Sequence, residues 1–201
     1  MSLFRKIFGF KERSEETIKN EERGKYMPEI KLPIDERFTI NFKANGGKFL
    51  YCENMQEVND SLTAIIQENE WVDKDVLIID DRLNDLFTSA NLKPTKNTYS
   101  STYFFSTCEY LISDDGSLLI SSNQIAEKKL KELPENFVIY ATTSQFVENI
   151  GEGLKGIKSK NKSKIPTNIT TIKHFKSNDN KDFLTYGSSS KNLYLLLLED
   201  L

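Results

Sequence analysis

Apolar and polar positions follow two periods along this chain, and the switches between them predict its elements. Residues 1–10, MSLFRKIFGF, place Leu3, Phe4, Ile7 and Phe8 at helical spacing, with Arg5 and Lys6 on the other side. The almost wholly charged KERSEETIKNEERGK follows, so residues 1–33 read as a short amphipathic helix on a charged arm. Its apolar face must cover something: the chain's own core, a second copy, or a partner helix or membrane surface. Residues 34–201 have the pattern of one folded domain. IDERFTINFKAN is helical and stops at Gly46-Gly47, and KFLYC reads as a strand. Asn54 and Glu57 form an N-x-x-E cap, behind which Met55, Val58, Leu62, Ile65 and Ile66 share one helical face. DVLIID is the short apolar run expected of a strand buried on both faces. Asp81 can cap a helix that carries Leu83, Leu86 and Phe87.

In the second half, TYFFSTCEYLIS and SLLISS flank Asp114-Asp115-Gly116, a strong hairpin signal. Ser122 or Asn123 then opens a helix, QIAEKKLKEL, which Pro134 ends. NFVIYA is another buried strand. Thr143 or Ser144 is expected to cap a helix with Phe146, Val147, Ile150 and Leu154 on one face. GEGLKG then falls at the end of that helix, and Lys155, Lys158, Lys160, Lys162 and Lys164 read as a solvated loop or as a flap over a phosphate. NITTIKHF and NLYLLLLEDL are the last strands, and alternation in the former puts His174 on the side of Ile172. Strands alternating with helices predict an α/β fold, a mainly parallel sheet covered on both faces, plus a β-hairpin.

Composition narrows the partners. The 27 basic and 30 acidic residues give a net charge of -3, so nothing favours nucleic-acid binding. No run approaches the roughly 20 apolar residues of a membrane span, and the N-terminus lacks a signal-peptide h-region, which points to the cytoplasm. The two cysteines, Cys52 and Cys108, lie in apolar segments without a CxxC pair. They read as buried inert thiols, and neither a cluster, a metal nor a cofactor is expected.

Candidate chemistry gathers at strand ends, where open α/β sheets bind ligands. Asp80-Asp81 and Asp114-Asp115 could together hold a Mg²⁺; the simpler reading makes them a helix cap and a turn. IPTNITTI and YGSSSKN offer short polar groups and backbone N–H groups to an anion. These segments make Asp80, Asp114, Asp115, Thr167, Asn168, Thr170, Ser189 and Lys191 ligand-binding candidates, and the family resemblance given below adds Gly116 and Ser117. The expectation is that the bend at Gly116 and the stretch near Pro166 border one depression. His174, the single histidine, has no nucleophile elbow near it, and there is neither a G-x-G-x-x-G fingerprint nor a P-loop.

CEYLISDDGSLLISS resembles the central motif of the LUD-domain family, the lactate utilization protein C and B group, roughly A-D-x-x-I-A-E-T-G-T followed by aliphatic residues. Asp114 falls on the family Glu, Asp115 on the Thr, Gly116 on the Gly and Ser117 on the final Thr. LPENFVIYATTSQFVENIGEGL, IPTNITTI and NLYLLLLEDL extend the similarity across about residues 34–201, with Pro166, Thr167 and Ile172 on the family's Pro, Ser and Ile. Ile169 and Thr171 replace a Thr and an Asp, and Gly187-Ser188-Ser189-Ser190 stands where the family has a His. The resemblance implies a three-layer fold like that of sugar-phosphate isomerases and CoA transferases. It also implies a protein C-like, non-cluster accessory subunit acting with iron–sulfur and Cys-rich lactate utilization proteins in oxidising L-lactate to pyruvate. The alternatives are an enzyme or binding protein for a phosphosugar or CoA ester on the same fold, and a regulatory module with an altered pocket.

Overall fold

The computed structural model describes residues 32–175 and 191–200. The amphipathic segment expected in residues 1–33, apart from its last two residues, and most of YGSSSKN, Ser189 included, lie outside them. The first described helix, α1 (Ile34–Ala44), has Asp35 and Glu36 in its first turn and Lys43 in its last, as its dipole favours. Gly46, at φ 87°, reverses the chain into β1 (Lys48–Cys52). Helix α2 (Met55–Glu68) follows; Asn54 Oδ1 accepts from Glu57 N at 3.0 Å, and Glu57 Oε2 reaches back to Glu53 N at 2.9 Å. Then come β2 (Asp75–Leu77), α3 (Arg82–Leu86), β3 (Lys93–Thr95), β4 (Tyr103–Thr107), β5 (Tyr110–Ile112), β6 (Ser117–Ile120) and α4 (Ser122–Ile125). The chain continues with β7 (Asn136–Thr142), β8 (Phe146–Val147), α5 (Ile150–Lys160), β9 (Thr170–Ile172) and β10 (Asn192–Leu198).

Six strands form one sheet in the order β1-β10-β7-β4-β2-β3, with every pairing parallel. Strand β10 shows why such strands read as unbroken apolar runs. Leu193, Leu195 and Leu197 enter one core cluster while Tyr194 and Leu196 enter the other. The second cluster packs Val58, Leu62 and Ile65 of α2 on the sheet, with Trp71 stacked 4.6 Å from Tyr103. On the other face, Phe38 and Phe42 of α1 meet Leu111, Leu118 and Ile120 of a second sheet, ordered β8-β5-β6-β9. Helix α5 closes the outer side of that small sheet, setting Ile157 against Tyr110, Ile112 and Leu119. Each such aliphatic side chain contributes roughly 1.5–3 kcal/mol by leaving water. The α/β sandwich expected from the sequence is thus the one observed.

Several elements differ from their sequence expectation, each for a physical reason. TYFFSTCEYLIS is two strands, because the chain leaves the large sheet after Thr107 and joins the small one at Tyr110. The hairpin therefore lies in a different sheet from the parallel strands. QIAEKKLKEL is α-helical only to Ile125, with a separate 3₁₀ turn at Leu130–Glu132. Ala126 turns to φ 51°, and Asn168 Nδ2 donates to the Ala126 and Lys128 carbonyls at 2.9 Å each, replacing helix hydrogen bonds. Phe146 and Val147 pair with Leu111 and Ile112 as a strand, so tertiary pairing overrides their helical spacing. The helix starts later, capped by Asn149, and GEGLKG lies at its beginning, with Lys155, Lys158 and Lys160 inside it. Gly153 and Gly156 serve packing there: a Cβ on Gly156 would stand 2.2 Å from Tyr110 Oη. His174 is exposed, whereas Ile172 is buried, because β9 and its alternation end at Ile172.

Candidate functional site

The carboxyl ends of β2, β4 and β7 border a cleft of about 440 Å³. Asp80 stands just beyond β2, and Arg82 opens α3. Asp80 Oδ1 accepts from Arg82 N at 3.1 Å, and the carboxylate takes Arg82 Nε at 2.9 and 3.0 Å and Nη2 at 2.6 Å. The hydrogen bond from Arg82 holds the Asp80 carboxyl below its ordinary value, against the weaker opposing effect of burial. The same pairing raises Arg82, whose side chain is 85% exposed and extends into the cleft mouth.

Glu109 brings a second carboxylate to the cleft at the crossing from β4 to β5. Its Oε1 accepts from Ser121 Oγ at 2.6 Å and from Asn123 Nδ2 at 2.8 Å. Ser121 caps α4, so the helix start and the carboxylate fix one another. Gln145 braces the floor, donating from Nε2 to the Cys108 carbonyl at 2.6 Å and accepting Thr142 N at 2.8 Å. Lys160, at the end of α5, lies 4.7 Å from the centre of the Tyr110 ring. Burial pushes both the Cys108 thiol and the Tyr140 phenol upward, so at neutral pH the cleft presents no thiolate. Among the described residues the cleft carries two cations, two carboxylates and side-chain amides, an arrangement suited to orient a small acid.

Of the nine sequence candidates among the described residues, Asp80 alone lines this cleft. Asp114, Asp115, Gly116 and Ser117 form the hairpin turn and lie against α1. Asn41 Nδ2 donates to Ser113 O at 2.8 Å, Asn45 Nδ2 to Asp115 O at 2.7 Å, and Arg37 stands 3.7 Å from Asp114. Asp115 Oδ1 accepts from Ser117 N and Oγ, at 3.1 and 2.6 Å. Thr167 is at the far end of β6, where its carbonyl accepts Ser122 N at 2.8 Å, and Thr170 pairs with Ile120. The Gly116 bend and the Pro166 stretch are thus separated by the length of β6, roughly 13 Å. Lys191 is buried at the amino end of the large sheet, its Nζ donating to the Leu133 and Pro134 carbonyls at 3.0 Å each. Ser189 lies outside the described residues. The four acids do not converge: Asp81 pairs with Lys96 at 2.6 Å, and among the described residues no three of His, Cys, Asp or Glu gather as a metal site would need.

The family model for the LUD domain matches residues 36–198, most of the chain. The chain belongs to the LUD-domain family. The crystal structure of a DUF162 family protein from Deinococcus radiodurans is similar to this LUD domain in fold, at a TM-score of 0.55. The two are 11% identical, and the match covers 83% of this chain and 96% of that one. No curated protein matches the sequence. No helix among the described residues of this LUD domain is long and apolar enough to cross a membrane.

Arg82, Glu109, Asn123 and Gln145 are the cleft residues that sequence reasoning missed, while Lys160 entered it only as part of the lysine run that could close over a phosphate. Glu109 had a signal: a charge in the middle of an apolar run marks the place where a strand leaves its sheet. Gln145 and Asn123 had none, because ordinary caps and turns use the same residue types.

Proposed function

We propose that this LUD domain is a non-cluster accessory subunit in the oxidation of L-lactate to pyruvate, working beside iron–sulfur and Cys-rich lactate utilization proteins. The observation that carries the reading is the family match over residues 36–198. The cysteine inventory agrees with it: both thiols are buried, so the electrons and protons leaving lactate pass to the partners' redox groups. The strand-end cleft is the place for a small acid. Arg82 and Lys160 supply charge to its carboxylate, and Glu109 accepts from its hydroxyl. Deleting this gene alone should abolish growth on L-lactate while leaving growth on pyruvate intact, and a plasmid copy should restore it. Undiminished growth on lactate without the gene contradicts the proposal.

A second reading, a phosphosugar or CoA-ester enzyme on the same fold, draws support from the two carboxylates in the cleft, Asp80 and Glu109. Asp80 is a poor general acid, since Arg82 keeps it ionised. Sugar phosphates or acyl-CoA raising the melting temperature, with lactate having no effect, would favour this reading over the first.

A further inference from the structure

Past α4 the chain folds back on the segment that leads into β9, and a second depression of about 330 Å³ opens between them. It shares no lining residue with the strand-end cleft. We propose that it binds a phosphorylated small molecule, with Lys128, Lys129 and Lys131 holding the phosphate and Asn168 and Thr170 its neighbouring oxygens. Three ammonium groups within four residues repel one another, and no carboxylate pairs with them among the described residues. The two acids in the same stretch are held within the loop by hydrogen bonds and form no ion pair with the three lysines. Glu127 Oε1 accepts from Thr167 Oγ1 at 2.7 Å, and Glu132 Oε2 accepts the backbone N–H of Lys129. A phosphate dianion supplies the ion-pair partner that the three lysines lack, and lysine ammoniums suit it as point charges. The depression is open to solvent, and its volume is at the lower end of small-ligand pockets.

The loop is also held in advance of any ligand. Ala126 and Asn168 both sit at φ 51°, a left-handed conformation that non-glycine residues seldom adopt. The Asn168 side chain locks both strands of the loop through the Ala126 and Lys128 carbonyls. A backbone strained on both sides of a lysine cluster, and clamped there by one amide, is the arrangement of a preorganised site. This inference does not depend on the role in lactate oxidation.

The test is a titration of the full chain with inorganic phosphate and with ribose 5-phosphate, followed by backbone amide NMR, with ribose as control. Both phosphates should give saturable shifts at residues 128–131, 168 and 170, and ribose none. The double variant Lys128→Gln/Lys131→Gln should bind about tenfold or more weakly, as loss of charge-assisted hydrogen bonds implies. Lys155→Gln/Lys158→Gln, on α5, should bind like the native chain. Asn168→Gly accepts the left-handed backbone but loses the clamp, so it should stay folded and bind more weakly. The proposal is overturned if millimolar phosphate gives no saturable shift in the loop. It is equally overturned if the shifts fall only in the strand-end cleft, or if the double variant binds unchanged.

Discussion

Gly116 bends the hairpin into α1 with no room for a methyl group. Its φ is +67°, and a Cβ there would stand 2.3 Å from Phe42 N and 2.4 Å from Asn41 C, both backbone atoms that cannot step aside. Gly116→Ala should therefore cost about 3 kcal/mol, measured by urea unfolding, and an unaltered midpoint would contradict the contact. The residue has a structural task in this protein, although the family motif first made it a ligand candidate. Asp80 carries a pH dependence. Its folded carboxyl is depressed, so the ionised form stabilises the fold above the ordinary carboxylate value near about 3.9. That stabilisation disappears as the pH falls through the folded value. Because Arg82 faces solvent, the effect is small, about 0.5 kcal/mol. Asp80→Asn should be less stable than the native chain by about that amount at neutral pH, and the difference should vanish in strong acid. A difference that grows toward acid would have the wrong sign.

Element by element, legibility followed burial. Strands β2, β7 and β10 of the large sheet were plain in the sequence because DVLIID, NFVIYA and NLYLLLLEDL are apolar runs, whereas the short, largely exposed edge strand β3 had no such signal. Helix α2 was plain because its cap and its apolar stripe agree. The middle of the chain was harder. Phe146 and Val147 have helical spacing with Ile150, yet they pair with β5, a non-local contact that no window of sequence contains. The end of α4 depends on Asn168, more than forty positions away by the hydrogen bonds it makes. Helix α5 gives a prediction at this scale. Replacing a helical glycine by alanine ordinarily stabilises by about 1 kcal/mol. Gly156→Ala should instead destabilise by about 1–2 kcal/mol, because the methyl meets the Tyr110 ring. Gly151→Ala, whose Cβ finds only Asn149 Oδ1 at 3.1 Å, should not destabilise. Thermal melts of the two variants should shift in different directions, and equal stabilisation of both would show that α5 does not depend on close approach to the small sheet.

For the molecule as a whole, the sequence foretold the architecture better than the site. Family resemblance and periodicity both report on packing, and packing is what the large sheet preserves. The candidate cleft is assembled from the ends of β2, β4 and β7, the start of α4 and the end of α5, segments spread from Asp80 to Lys160. Such a site has no local motif, so Asp80 was legible only because strand ends are where α/β sheets bind ligands. The hairpin and the Pro166 stretch carry the family pattern and yet stand at opposite ends of β6, which separates the residues that identify the fold from those that line the cleft.

The most direct test places Arg82→Gln in a strain lacking the native gene and follows L-lactate-dependent dye reduction in its extracts. The native copy should restore the rate. The variant, with the same melting temperature to within a few degrees, should restore about a tenth of it or less, as loss of a charged donor to a bound acid implies. Full restoration by the variant would contradict the claim that this cleft holds the acid during lactate oxidation.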